Sequence, residues 1–347
     1  MIRTPQAHVT QTNHGTSKLR SSPDRAIADY QDPVLEKYES EDFAWLSSEA
    51  SRLRTSKERL PGGYWKLRAL YDAIEQPPAG DLSESAWTQL FAKLGRWREQ
   101  QPQDITPVVA LASAWREYGW QARGNGYADT VSPSAWSVFH ERLDKAAQLL
   151  DEANGFSEQC PEFYHEALRL GPGLGWNRGE LDRYFAEGTA LEPTYYYLHQ
   201  QKALYMLPRW GGKEGEWEQF ADDSARNIGG KQGDIVFFAI YSLMRNMNDM
   251  SFMPRHRQAA PQLIAGFRAI EELYGASQER LNEACLASLF IDDPTTTAEL
   301  FDRTEKDLDE NVWHGRNNFE GFRNTFRQQQ RVREVQSQRP PLITSSN

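Results

Sequence analysis

The chain has 347 residues, of which 39% are hydrophobic and 25% charged, a composition typical of a folded globular protein. Its net charge of −10 argues against general binding to nucleic-acid phosphates, and no apolar run approaches the roughly 20 residues needed to span a bilayer. The two cysteines, Cys160 and Cys285, form no disulfide framework or Cys-x-x-Cys pair, so the sequence predicts a cytoplasmic protein.

The two ends of the chain are polar, and the residues between them show helical periodicity. Residues 1–38 are rich in Ser, Thr, Gln and Asn and lack the apolar core of a secretory signal, so we predict a flexible leader. Residues 336–347 are predicted to form a disordered tail for the same compositional reason. A helical domain is therefore expected over 39–335.

Apolar residues recur at helical spacing in a series of segments that starts near residue 41. The clearest is SPSAWSVFHERLDKAAQLLDEAN, for which we predict a cap at Ser132 and a first helical residue at Pro133. The segments before it are EDFAWLSSEASRLRTSKERL, YWKLRALYDAI, SESAWTQLFAKLGRW and ITPVVALASAWREYGW. The segments that follow it are 161–170, 179–190, PTYYYLHQQKALYML and 216–227.

The segment DIVFFAIYSLMRNM can be read as a strand or as a buried helix. The unbroken apolar run from Ile235 to Tyr241 suits a strand, but the apolar pattern continues to Met247, which is long for one. A helix that is apolar on every side is a buried helix, and we predict one here. The remaining helical segments are APQLIAGFRAIEELYG, SQERLNEACLASLFI, TTTAELFDRT and an arginine-rich terminal helix, which is interpreted as solvated.

The sequence therefore predicts an all-α fold of serial antiparallel helix pairs, an α/α array of tetratricopeptide-like type with about a dozen helices and degenerate repeats. The tripeptide SAW recurs at 85–87, 113–115 and 134–136, and its spacings of 28 and 21 give no clean repeat period. One continuous core is thus an equal alternative to a regular superhelix.

Signatures of known reactions are absent from the sequence. Lys213 and Lys231 follow glycine pairs, but neither precedes the Ser or Thr that a phosphate-binding loop requires. Glu162 and His165 would share a helix face, as in a di-iron bundle, but this pattern has no second copy. We interpret them as a surface Glu and a hydrogen-bonded imidazole beside a buried Cys160. No catalytic residue, metal site or cofactor is predicted.

The connectors between helices contain Trp and Arg residues that a chain reversal does not require. In one interpretation they line a groove for a peptide or small ligand. In the other, which we favour, the arginines donate to carbonyl groups at helix ends while the tryptophans fill gaps between helix pairs. The residues concerned are Trp65, Trp120, Arg123, Arg209 and Trp210.

Four of these segments together resemble a bacterial domain-of-unknown-function family with predicted tetratricopeptide-like helical repeats. They are LPGGYWKLRALYDAI, WREYGWQARGNGYADTV, CPEFYHEAL and LPRWGGKEGEWEQFA. The resemblance covers about residues 60–250 and implies an α/α repeat fold. It brings no reaction and no catalytic residues, and the helices of 255–335 rest on periodicity alone.

Three functions are compatible with these observations. The leading hypothesis is a non-enzymatic adaptor or scaffold that binds a protein or peptide partner, a common role of helical arrays. The alternative is a carboxylate-dependent hydrolase of a sugar or peptidoglycan, whose two carboxyl groups cannot be located from sequence spacing. The third is a structural or regulatory element of a larger bacterial assembly.

Overall fold

A computed structural model of the protein describes residues 22–78, 81–124, 126 and 128–337. These residues form sixteen α-helices and, apart from an isolated bridge between Arg59 and Trp65, no β-structure, which confirms the predicted fold class. The helices are α1 Ser22–Glu39, α2 Phe43–Ser56, α3 Lys66–Ile74, α4 Glu84–Gln100, α5 Ile105–Arg123, α6 Pro133–Ala153, α7 Pro161–Leu174, α8 Arg178–Leu191, α9 Tyr196–Tyr205, α10 Glu216–Ile228, α11 Gly230–Asn246, α12 Phe252–Arg255, α13 Ala260–Tyr274, α14 Gln278–Ser288, α15 Pro294–Lys306 and α16 Arg316–Ser337.

Successive helices pack on one another along most of the chain, in two layers. Each of α5, α7, α9 and α11 contacts the next of this set, so these four helices form a continuous row. The helices α6, α8, α10 and α13 pack on the row and alternate with it in the chain. Because the row is covered by other helices, its members are buried on nearly every side. We call these four helices, with α3 and α14, the inner layer.

The ends of several helices follow from short-range signals in the sequence. The Ser132 hydroxyl accepts a hydrogen bond from the Ala135 N–H at 3.1 Å, and Pro133 is the first residue of α6, as predicted. Gly229 ends α10 and starts α11 with a φ of +74°, a conformation that glycine adopts without strain. The two glycine-lysine segments therefore separate helices.

The buried helix predicted for DIVFFAIYSLMRNM is confirmed as α11. Its residues from Ile235 to Tyr241 are all buried, because α9, α10 and α13 contact the helix from different sides. None of the described helices is long and apolar enough to cross a membrane.

The predicted boundary of the flexible leader at residue 38 is wrong for residues 22–38, which belong to α1. Val34 and Tyr38 are buried, and the Gln31 amide donates to the Ala69 carbonyl at 2.9 Å, so α1 is fixed to α3. The predicted tail also begins later, because α16 continues to Ser337. The rest of both predicted segments, residues 1–21 and 338–347, lies outside the described residues.

The first and last parts of the array meet. The short turn Pro61–Gly63 packs on α13 and α14, where the Gly62 N–H donates to the Gly275 carbonyl at 2.8 Å. Beside this contact the Tyr64 hydroxyl donates to Glu279. Buried apolar side chains from Val34 to Phe319 form one contiguous cluster, so the continuous core describes the protein better than an open superhelix.

Candidate functional site

A belt of charged and aromatic side chains crosses the inner layer. Its members come from α3, α5 and α7 and from the start of α9, and hydrogen bonds or ring contacts connect them. We call this set the inner polar belt. It consists of Arg68, Asp72, Glu75, Arg116, Glu117, Glu162, His165, Glu166, Arg169, Tyr195 and Tyr197.

One end of the belt joins α3 to α7. Arg68, Asp72 and Glu75 lie on one face of α3, since they are four and three residues apart. The Arg68 guanidinium donates to Asp72 from Nε at 2.9 Å and also contacts Glu75. Its Nη1 donates to Glu162 Oε2 on α7 at 2.6 Å. One arginine therefore holds three carboxylates.

The other end of the belt joins α5 to α7. Arg116 donates from Nε to Glu166 at 2.6 Å and from Nη1 to Glu117 at 2.9 Å. Arg169 donates to Glu117 at 2.8 Å, and its Nη1 lies 3.6 Å from Glu75 Oε1. Through Arg169 the two ends of the belt form one network.

The belt also contains an imidazole and two phenol rings. His165 Nδ1 lies 3.1 Å from Glu162 Oε2, and the Tyr195 hydroxyl donates to the same carboxylate. The Tyr197 ring lies 5.6 Å from the His165 ring and 5.3 Å from the Tyr195 ring. The predicted hydrogen bond of the imidazole and the predicted burial of Cys160 are both present, but Glu162, expected at the surface, is buried.

The ionisation of the belt follows from burial and from the arginines. Burial alone would raise the pKa of Glu162, yet Arg68 and His165 hold this pKa well below its usual range. Burial raises the pKa of Asp72, and Arg68 offsets the rise only in part. Burial lowers the pKa of His165 to about 4, so this imidazole is neutral near pH 7. Arg116 and Arg169 keep the pKa of Glu117 below its ordinary value despite burial.

Part of the belt is open to solvent. The side chain of Asp72 is 42% exposed, that of Glu117 27% and that of Arg169 20%, and Tyr197 is half-buried. Protein groups nevertheless surround these side chains closely enough for burial to act on their pKa values. They form the accessible part of the belt, where a ligand could contact charges that the fold already holds in place.

A second buried ion cluster fixes α14 to α11. Glu283 accepts from Arg245 at 2.8 Å, from Arg280 at 2.9 Å and from the Ser242 hydroxyl at 2.5 Å. All four side chains are buried. Because this carboxylate faces two guanidinium groups and has no access to solvent, the cluster serves to hold the helices together.

The five residues nominated from the sequence occupy three places. Trp65 is buried just before α3, in edge contact with Tyr195 at 4.8 Å and beneath the Arg59 guanidinium at 4.1 Å. It therefore supports the belt from inside the core. Its indole N–H is buried and finds no acceptor among the described residues.

Trp120 and Arg123 lie at the end of α5. The Arg123 guanidinium is 5.3 Å from the Trp120 ring centre and 5.1 Å from that of Trp136. Arg123 Nη1 donates to the carbonyls of Gly124 at 3.1 Å and Gly126 at 3.2 Å. These contacts tie the end of α5 to α6.

Arg209 and Trp210 follow α9 in the short helical turn Pro208–Trp210. Arg209 Nη2 contacts the Met247 sulfur at 3.8 Å, while its buried Nε has no acceptor among the described residues. Trp210 is half-buried. The charged members of the belt, by contrast, were not nominated from the sequence except for Glu162 and His165. The available signal was the presence of charges within helical segments otherwise apolar on every side.

Comparison of the chain with protein-family models, with curated proteins and with solved structures finds no match. Within the described part of the chain, no group of three or more His, Cys, Asp or Glu side chains is arranged to hold a metal ion. The function is therefore argued from the belt itself.

Proposed function

We propose that the protein is a non-enzymatic helical-array protein that binds a protein or peptide partner at the inner polar belt, as an adaptor or scaffold. The observation that carries the proposal is the solvent access of Asp72, Glu117, Arg169 and Tyr197 within an otherwise buried layer. Charges and an aromatic ring at such a place offer directional contacts to a ligand.

The energetics of the belt support this proposal. Buried ion pairs are often no more stabilising than well-packed apolar side chains of similar volume, so stability alone does not require them. The belt nevertheless concentrates five carboxylates and three guanidinium groups on three helices. Their mutual hydrogen bonds fix the side chains before a ligand arrives, which reduces the ordering that binding would require.

Affinity capture from a lysate of the source organism tests this function. The baits are the wild type, the belt variant Asp72→Asn/Glu117→Gln, and the control variant Asp144→Asn/Glu187→Gln. The control removes the same two charges from exposed positions on α6 and α8. We expect at least one protein to be captured by the wild type and the control and lost with the belt variant, and to bind directly when purified. Capture that is independent of the belt would refute the proposal.

A second candidate function is the hydrolase, and one observation favours it. The pKa of Asp72 is raised by burial, whereas the pKa of Glu117 is lowered by Arg116 and Arg169. A general acid and a general base in one site need such opposite displacements. Incubation with peptidoglycan or oligosaccharides, followed by detection of new reducing ends, would test it. Activity lost in both Asp72→Asn and Glu117→Gln would support hydrolysis, and absence of products would reject it.

The surface clefts do not strengthen the hydrolase. A cleft of about 330 Å³ lies between α15 and α16, beside Phe301, Phe326 and Arg331. Another of about 320 Å³ lies between α5 and α6, beside Trp115 and Lys145. Neither contains a belt residue, so the binding function is favoured.

A further inference from the structure

We propose that the inner polar belt recognises a cationic side chain of its partner, an ammonium or guanidinium group that enters between Asp72 and Glu117. The inference rests on the binding function proposed above and specifies the chemistry of its ligand. Three observations carry it: an excess of negative charge, a buried carboxylate oxygen without a donor, and an accessible aromatic ring.

The belt contains more carboxylates than guanidinium groups. Five carboxylates, Asp72, Glu75, Glu117, Glu162 and Glu166, face three guanidinium groups, Arg68, Arg116 and Arg169. His165 is neutral near pH 7 and compensates neither of the two remaining negative charges. Since charges in a poorly solvated place interact strongly, a ligand cation would be attracted there more than at the surface.

One oxygen of the belt has no hydrogen-bond donor. Glu75 Oε1 contacts Arg68 and lies 3.6 Å from Arg169, but Glu75 Oε2 is buried and accepts no hydrogen bond from a described residue. A buried acceptor without a donor is unfavourable. Arg68 and Arg169 also hold Asp72 and Glu117, so a donor that enters between these two carboxylates would approach Glu75.

The accessible ring suits the same ligand. Tyr197 is half-buried, and its hydroxyl accepts a hydrogen bond from the Tyr196 hydroxyl at 3.1 Å. The negative face of an aromatic ring attracts ammonium and guanidinium groups. The charge of Asp72 is among the influences that raise the pKa of Tyr197, which places the phenol close to that carboxylate.

An anionic ligand fits this place less well. Arg169 is the guanidinium of the belt with the greatest access to solvent, and Glu117 and Glu166 already accept its hydrogen bonds. An anion would have to displace one of these carboxylates while facing Asp72. A cation adds a donor and restores the balance of charge.

Calorimetric titration with defined peptides tests the inference. The probes are acetylated pentalysine amide, pentaglutamate as the opposite charge, and spermidine as a small polyamine. The proteins are the wild type, Asp72→Asn/Glu117→Gln and the control Asp144→Asn/Glu187→Gln. We expect pentalysine to bind the wild type, with a Kd at least tenfold higher for the belt variant and changed less than twofold for the control. Circular dichroism checks that all three proteins are folded.

The alternatives give different results. Equal weakening in the belt variant and the control would mean attraction by the net charge of −10 and would overturn the inference. Binding of spermidine without pentalysine, or tighter binding of pentaglutamate, would also overturn it. If the capture experiment yields a belt-dependent partner while pentalysine does not bind, the binding function stands and the cationic ligand is wrong. If capture is independent of the belt, the binding function itself fails.

Discussion

Arg68 on α3 and Glu162 on α7 are in direct contact, with Nη1 and Oε2 2.6 Å apart, although 94 residues separate them in the chain. Both side chains are almost completely buried. In such surroundings water cannot stabilise either charge, so each depends on the other and on the neighbouring belt residues. The pair therefore connects the first part of the chain to the inner layer.

We expect Arg68→Met to destabilise the protein by about 3–5 kcal/mol, the usual effect of removing one partner of a buried pair. Methionine keeps much of the side-chain volume but leaves the carboxylates of Glu162 and Glu75 without their main cation. The free energy of unfolding in urea measures the effect. Arg96→Met is the control, because the Arg96–Glu41 pair is exposed and should contribute no more than about 1 kcal/mol. Similar small losses in both variants would contradict the stabilising role of the buried pair.

His199 gives a prediction on pH. Its Nε2 donates to the Pro193 carbonyl at 2.9 Å, which leaves Nδ1 to accept from the Ser224 hydroxyl at 3.2 Å. Burial lowers the pKa of His199 to about 4, whereas an unfolded imidazole has a pKa of about 6.5. Between these values the unfolded chain binds a proton that the folded chain does not. The stability linked to this group is therefore complete above pH 6.5 and falls as the pH approaches 4.

The measurement compares the free energy of unfolding at pH 7 and pH 5. We expect His199→Gln to show a smaller decline than the wild type, by about 1–2 kcal/mol, since one of the linked protons is gone. His165 is retained in both proteins and contributes a decline of the same sign. An unchanged pH dependence in His199→Gln would mean that this imidazole is not buried in its neutral form.

Gly62 is expected to be essential for the contact between the two ends of the array. Its φ is +82°, and a Cβ there would lie 2.5 Å from the Ser277 hydroxyl oxygen and 2.6 Å from a Tyr64 ring carbon. We expect Gly62→Ala to cost at least about 2 kcal/mol, from backbone strain and overlap together. Gly211→Ala separates the two effects, because φ is +89° there but the space is open, and we expect about 1 kcal/mol.

Unfolding free energies of the two alanine variants provide the first comparison. Amide hydrogen exchange provides the second, since loosening at Gly62 should speed exchange in α14 and leave α5 unchanged. Equal losses in both variants would show that strain alone acts at Gly62 and that the packing against α14 contributes little.

Much of the fold could be predicted because helices carry local signals. The cap at Ser132, Pro133 at the first position of α6 and the buried run of α11 depend on residues only a few positions apart. The helix α1 was missed because its buried face is sparse. Gln31, Val34 and Tyr38 lie among polar residues, and contact with α3 decides their burial.

The belt could not be predicted for a related reason. In the sequence, Arg68 and Glu162 resemble ordinary surface charges of amphipathic helices. Whether such a charge faces solvent depends on which helix packs against it, and the partner lies 94 residues away. Spacing placed Glu162 and His165 on one face correctly, since that relationship is local to α7.

The two connector arginines predict opposite outcomes. Arg123 donates to two carbonyls and stacks on Trp120 and Trp136, so Arg123→Met should destabilise the protein by about 1–2 kcal/mol. Burial lowers the pKa of Arg209, and its Nε has no acceptor among the described residues. Removing a donor without an acceptor is close to neutral, so Arg209→Met should change the free energy of unfolding by no more than about 0.5 kcal/mol.

Unfolding in urea and partner capture, measured on the same two variants, distinguish a brace from a binding residue. If Arg209 binds a ligand, Arg209→Met will lose captured partner while its free energy of unfolding stays the same. If it braces helices through the Met247 contact, stability will fall and capture will follow only as far as the fold is lost. An Arg123→Met variant that keeps its stability but loses capture would reverse the interpretation of that residue as a brace for α5 and α6.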